Sequence, residues 1–209
     1  MSKKKYIETF IPDVKVLEQK HQGYLSGFDA GKDFKNFNDF LSEDAFEYSK
    51  NGNGVTYLVF NLLEKIELAA YYTLAVTSIP YIDRIRLDEE EAKETGKEFD
   101  EQICGIAALE IKMFAVSRKY QDVFYVYGGE EKPVSAWILQ DIIDKCNTMI
   151  YKVVGFKAIF LHSVPTAEEF YKKNQFKNIE ANMMPLHCID NDLTPMYLPL
   201  RPIHMIYDK

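Results

Sequence analysis

The stretch GFKAIFLHSV (residues 155–164) most tightly limits what this chain can fold into. It is almost continuously apolar, of strand length, and bounded by a glycine at its start and a proline just beyond its end. A run of that kind fits a strand buried on both faces, a type that usually has parallel neighbours. A strand with no wet face needs layers packed on either side, so helices over a sheet are expected.

The rest of the chain supplies the alternating elements. Phe34, Phe37, Leu41, Ala45 and Tyr48 recur at spacings of three and four, which predicts a helix over residues 33–48 with one apolar face. Asn51-Gly52-Asn53-Gly54 ends it, and GVTYLVFN reads as a strand. KIELAAYYTLAVTSI (residues 65–79) predicts a second strand closed by Pro80, and GIAALEIKMFAV (residues 105–116) a third. Val134, Ile138, Ile142 and Cys146 form a second helical stripe. After residue 164, Thr166 and Glu169 fit a capping box opening the helix EEFYKKN. PMYLPL closes the chain as a strand whose Pro195 and Pro199 favour an edge. The expected architecture is a mixed α/β sheet covered by helices, one domain over residues 1–209.

Charge narrows the partners. The chain carries a formal net charge of −7, which disfavours a protein whose main task is gripping nucleic acid. The most acidic stretch is DEEEAKETGKEFDE (residues 88–101), the centre of an insertion at about residues 82–104. It reads as a solvated loop, or as a screen that favours cationic amines and repels tRNA. Cys104, Cys146 and Cys188 form no C-x-x-C pair, so reduced thiols and no metal site are expected. No apolar run reaches the ~20 residues that span a bilayer, and no apolar segment follows the N-terminal lysines as in a signal peptide. A cytoplasmic location is expected.

One motif resists a simple reading. YQDVFYVYGGEEKPVSAWILQ (residues 120–140) passes from a strand end through Gly128-Gly129 into a helix. A glycine loop before a helix N-terminus commonly holds phosphate through free N–H groups and the helix dipole. Here Glu130 and Glu131 oppose an anion, while Lys132 favours one.

The order of these segments resembles the GNAT superfamily of N-acetyltransferases, over residues 27–200. GFDAGKDFKNFNDFL resembles the F-D-C-G-x-x-x-L-x-x-F-L opening of a bacterial branch that includes toxins acting on aminoacyl-tRNA. LEIKMFAVSRKYQD resembles the strand that holds the acetyl-CoA arm, and VPTAEEFYKKNQF the closing A-x-x-F-Y-x-x-x-G-F helix. The resemblance implies a mostly antiparallel sheet in which a parallel strand pair, residues 112–116 and 158–164, splays apart to receive acetyl-CoA. It aligns Lys132-Pro133-Val134-Ser135-Ala136 with the K-G-x-G-S/A phosphate loop, so Pro133 and Ser135 replace glycines and residues 121–132 become a remodelled loop.

The resemblance also implies a site. Main-chain amides near Phe114, Ala115 and Val116 would meet the thioester oxyanion, and Lys132 with the N–H groups of Val134, Ser135, Ala136 and Trp137 would meet the pyrophosphate. Tyr171 would protonate the leaving thiolate. Glu110 would accept a proton, although a surface role competes. His162 is either a base or a hydrogen-bonded structural residue. His187 and Cys188 carry no expected metal or nucleophilic role. The leading expectation is an acetyl-CoA-dependent N-acetyltransferase with an unidentified amine acceptor, able to pair into a homodimer. The alternatives are a non-catalytic CoA- or partner-binding module, toxin-like acetylation of aminoacyl-tRNA, and a structural α/β domain whose likeness is accidental.

Overall fold

The computed structural model describes residues 4–63, 65–184 and 192–201; His187 and Cys188 lie outside the described residues. In chain order the described residues form β1 (Lys5–Tyr6), β2 (Pro12–Val16), α1 (Gln22–Leu25), α2 (Lys35–Asp39), α3 (Ala45–Lys50), β3 (Val55–Leu62) and β4 (Ile66–Arg86). They continue through α4 (Glu89–Thr95), β5 (Phe99–Val116), β6 (Val123–Tyr127), β7 (Glu130–Pro133), α5 (Val134–Lys152), β8 (Ala158–Ser163), α6 (Glu168–Lys173), β9 (Lys177–Asn178) and β10 (Thr194–Pro199). The chain divides into two compact units, Met1–Ala75 with Ile111–Cys146, and Val76–Glu110 with Asn147–Lys209.

In the first unit the sheet order is β2-β3-β4-β5, with β2/β3 and β3/β4 antiparallel. β-Branched and aromatic residues fill β3 and β4, and Thr56 faces Thr73 with their hydroxyls 2.9 Å apart in a fully buried pair. The helix expected over residues 33–48 is present but not uniform. It opens with a 3₁₀ turn, runs as α2, widens into a π turn at Phe40–Asp44 and resumes as α3. The wide turn buries Phe40 beside Leu41, so Phe40 joins the predicted stripe in a core with Leu58, Phe60 and Tyr71. Gly52, at φ 74°, ends the segment as its sequence predicts.

In the second unit the order is β4-β5-β8-β10-β9. β8 is buried at five of its six positions, as its apolar run requires, but it pairs antiparallel with β10 on one side. Its expected parallel surroundings are therefore incomplete. Alternate residues Ile106, Ala108, Ala158 and Phe160 share a core with Ile79, Met183 and Tyr197.

Several local expectations change. Pro80 does not close β4, which continues to Arg86. The β3 ladder has already ended at Leu74, so no β3 carbonyl requires the missing N–H, and the Pro80 carbonyl instead accepts from Met184. Residues 88–101 are more ordered than a loop. Asp88 caps α4 by accepting from the N–H groups of Glu90 and Glu91, and Gly96 ends it at φ 68°. Arg84 and Glu101 then pair at 3.0 Å across the flanking strands. Thr166 makes no cap, because Pro165 starts a 3₁₀ turn one residue earlier and α6 follows from it. β10 is not the edge, since β9 lies outside it. Its prolines survive because the Pro195 carbonyl points toward Ile179, and Pro199 shares that alternation, so both missing N–H groups face away from β8.

Leu41 is 1% exposed at the π turn, with core residues around it. Leu41→Ala is expected to lower unfolding free energy by about 2–5 kcal/mol, read from urea denaturation. A loss below about 1 kcal/mol would mean that the wide turn relaxes to fill the cavity.

Candidate functional site

The remodelled loop is a β-hairpin. β6 and β7 pair from Phe124↔Pro133 to Tyr127↔Glu130. Gly128 and Gly129 between them have φ 59° and 84°, the left-handed conformations that a two-residue hairpin turn of the I′ type needs. These glycines therefore turn the chain and do not cradle an anion. β1 adds a parallel third strand against β6.

The hairpin disposes of its own charges. Lys4 forms an ion pair with Glu131, and the Tyr6 hydroxyl donates to the same carboxylate at 2.8 Å. The Lys4 hydrogen bond, followed by that from Tyr6, holds the Glu131 carboxyl below its usual range. Lys132 lies 2.6 Å from Glu130 and 4.6 Å from the centre of the Trp137 ring. Trp137 in turn donates its indole N–H to the Tyr125 carbonyl at 3.2 Å. Pro133 ends β7 and Val134 begins α5, so Val134, Ser135, Ala136 and Trp137 form the first turn of a 19-residue helix. First-turn N–H groups lack partners within a helix and carry its positive dipole end.

The start of the loop is tied down by side chains. Gln121 donates to the carbonyls of Val116 and Ala30, at 2.8 and 2.9 Å. Tyr120 is buried, donates to Glu67 at 2.8 Å and accepts from Asn61 at 3.2 Å. Lys119 pairs with the same Glu67 carboxylate. Phe114, Ala115 and Val116 end β5, with Ala115 and Val116 buried, and the Ser117 N–H bonds the Ala69 carbonyl at 2.8 Å.

The second unit holds the three residues considered for proton transfer, Glu110, His162 and Tyr171. Glu110 on β5 and His162 on β8 come together, His162 Nδ1 lying 3.4 Å from Glu110 Oε1. Both are largely shielded, with side chains 16% (His162) and 7% (Glu110) exposed, so Glu110 is no surface residue. The His162 Nε2 atom is buried without a hydrogen-bond partner. Tyr171 on α6 is buried between the rings of Phe170 and Phe176. Burial pushes its phenol above the usual value, which keeps the proton on oxygen at neutral pH. Among the described residues no group of His, Cys, Asp or Glu side chains is arranged to hold a metal ion, and no helix is long and apolar enough to cross a membrane.

The fold is that of GNAT-type bacterial toxins. The toxin–antitoxin pair AtaTR, solved with AcCoA, superposes with a TM-score of 0.62 at 17% identity over 90% of this chain and 93% of that one. AtaT in complex with acetyl-methionyl-tRNAfMet gives 0.59 at 17% identity, covering 90% and 95% of the two chains. KacT carrying a tyrosine-to-phenylalanine substitution gives 0.59 at 15%, covering 90% and 94%. No family model and no curated protein sequence matches the chain.

The hairpin had a sequence signal, a Gly-Gly pair between the alternating run VFYVY and a second short segment. The Asn61–Tyr120–Glu67 network had none, because Tyr120 lies 59 and 53 residues along the chain from its two partners. Hydrogen bonding from Lys119, then Tyr120, holds the Glu67 carboxyl below its usual value. Its contribution to stability is therefore present above the unfolded carboxylate value of ~4.3 and is lost as pH falls through the lowered folded one. Glu67→Gln should flatten the acid limb of a stability–pH curve between about pH 3 and 5. An unchanged limb would mean that the Lys119 pair is solvated away.

Proposed function

We propose that the chain is an acetyl-CoA-dependent N-acetyltransferase. The observation that carries this reading is a superposition covering 90% or more of both chains on AtaTR bound with AcCoA. Acetyl transfer to an amine needs an oxyanion donor, an acid for the thiolate and an acceptor for the amine proton. The main-chain amides at Phe114, Ala115 and Val116 serve as oxyanion donors in this reading. Lys132 and the N–H groups of Val134, Ser135, Ala136 and Trp137 receive the pyrophosphate. Tyr171 is the acid in this reading: a phenol carries its proton at neutral pH and can stabilise or protonate a departing thiolate. The substitution of a tyrosine by phenylalanine in the solved KacT supports giving that role to a tyrosine.

The acceptor is a primary amine. The complex of AtaT with acetyl-methionyl-tRNAfMet favours the α-amine of an aminoacyl-tRNA as the first candidate, against the net charge of −7. In the first unit Lys4 and Lys132 offset Glu131 and Glu130, so part of that acidity is locally neutralised.

Calorimetric titration with acetyl-CoA separates the enzyme from a binding module that has lost its cosubstrate; micromolar binding is expected. Tyr171→Phe should lower kcat by about 100-fold or more, within the range for a lost general acid, while acetyl-CoA affinity changes by less than about threefold. Equal turnover in the variant removes Tyr171 from the mechanism.

A further inference from the structure

We infer that His162, oriented by Glu110, is the proton acceptor of the transfer. The inference rests on the N-acetyltransferase reading and names the base of that same site.

Strand alternation places the pair. Glu110 continues the face of β5 that carries Ile106 and Ala108, and His162 continues the face of β8 that carries Ala158 and Phe160. The rungs before them are wholly apolar, so the pair is a polar end to an apolar face. A histidine placed there for structure alone would have both ring nitrogens satisfied, as buried polar atoms nearly always are. This one does not. Nδ1 faces the Glu110 carboxylate at 3.4 Å, while Nε2 is buried with no partner. Phe160 stands edge-on to the imidazole, centroids 4.9 Å apart at 83°, and restricts the ring plane. The carboxylate assigns the ring proton to Nδ1, which leaves a lone pair on Nε2. An oriented base with a free lone pair and a carboxylate behind it is the arrangement that takes a proton and stabilises the resulting imidazolium.

The step balances. The acceptor nitrogen forms a bond to the thioester carbonyl carbon, and the carbon–sulfur bond breaks. The proton leaving nitrogen goes to His162 Nε2, and the thiolate takes one from the Tyr171 phenol. Solvent then returns the imidazolium proton to the tyrosinate.

The test uses the full-length protein with acetyl-CoA and whichever of two probe acceptors, a bulk aminoacyl-tRNA pool or spermidine, the wild type acetylates faster. His162→Gln should lose about 100-fold or more in kcat, with acetyl-CoA affinity within about threefold by calorimetry. Added imidazole should restore part of the turnover of His162→Ala. Undiminished turnover in His162→Gln, with acetyl-CoA still bound, overturns the base and leaves the enzyme reading standing. Failure of the wild type to bind acetyl-CoA removes the enzyme reading, and this inference with it. A nitrogen-15 histidine spectrum of the wild type provides a check that needs no variant to fold. It should show His162 protonated on Nδ1, and Glu110→Gln should shift that tautomer balance. A wild-type spectrum with the proton on Nε2 overturns the inference.

Discussion

Residues 69–75 of β4 have no wet face, and much of the first unit follows from that. Tyr71 points into the core built from the π-containing helix, where it stacks on Phe40 and donates its hydroxyl to the Phe37 carbonyl at 2.7 Å. Tyr72 points the other way and stacks on Tyr57 at 5.0 Å. Lys145 from α5 lies over that same ring at 4.2 Å. Burial pushes the nearby Cys146 thiol up to about 12, so the sulfur is a packing atom and no nucleophile. A strand enclosed on both faces must meet its backbone needs sideways, through β3 and through β5. The Ala69 carbonyl does so by accepting from Ser117, which fixes where β5 stops.

That stopping point governs the candidate pyrophosphate loop. Just past Ser117, Gln121 reaches back to the Val116 and Ala30 carbonyls, and Tyr120 plugs into Asn61 and Glu67. Each buried polar group there is answered by another, and a one-residue slip of the ladder would leave several unanswered at once. The loop between Gln121 and α5 can therefore lengthen into a hairpin without disturbing its start. Tolerance of an insertion here comes from the rigidity of its anchor.

Much of this was legible from short-range pattern. The apolar run at residues 155–164, the stripe of Val134, Ile138, Ile142 and Cys146, and the helix before Asn51 all appear where periodicity placed them. Some misses needed information from a distant segment, and others overlooked a signal beside the residue itself. Pro80 reads as a strand terminator until one knows that β3 has ended before it. Thr166 reads as a cap because the motif test ignores how Pro165 pre-sets the turn. The acidic stretch hid a capped helix, though Asp88 and Gly96 mark both of its ends. At the site, sequence weighed Glu110 as a surface carboxylate and His162 as a structural histidine, since nothing local places residues 110 and 162 side by side. Only the neighbouring strands β5 and β8 do so.

The proposed replacement of two phosphate-loop glycines by Pro133 and Ser135 then takes on a different weight. Glycine serves such loops by letting a bare backbone approach the anion closely. Here the hairpin delivers the chain to α5 in a fixed direction, with Pro133 at the end of β7 and Val134 opening the helix. A proline at that boundary loses one N–H, but it also removes backbone freedom that a flexible loop must surrender on binding. The two glutamates whose charge opposes an anion are each held by a lysine, and Trp137 steadies the second of those lysines. In the acetyltransferase reading, what the sequence presents as a damaged cradle becomes a stiffer entrance to the same helix end. The donors in that reading are main-chain N–H groups of the first turn, which any replacement of Ser135 other than proline leaves in place.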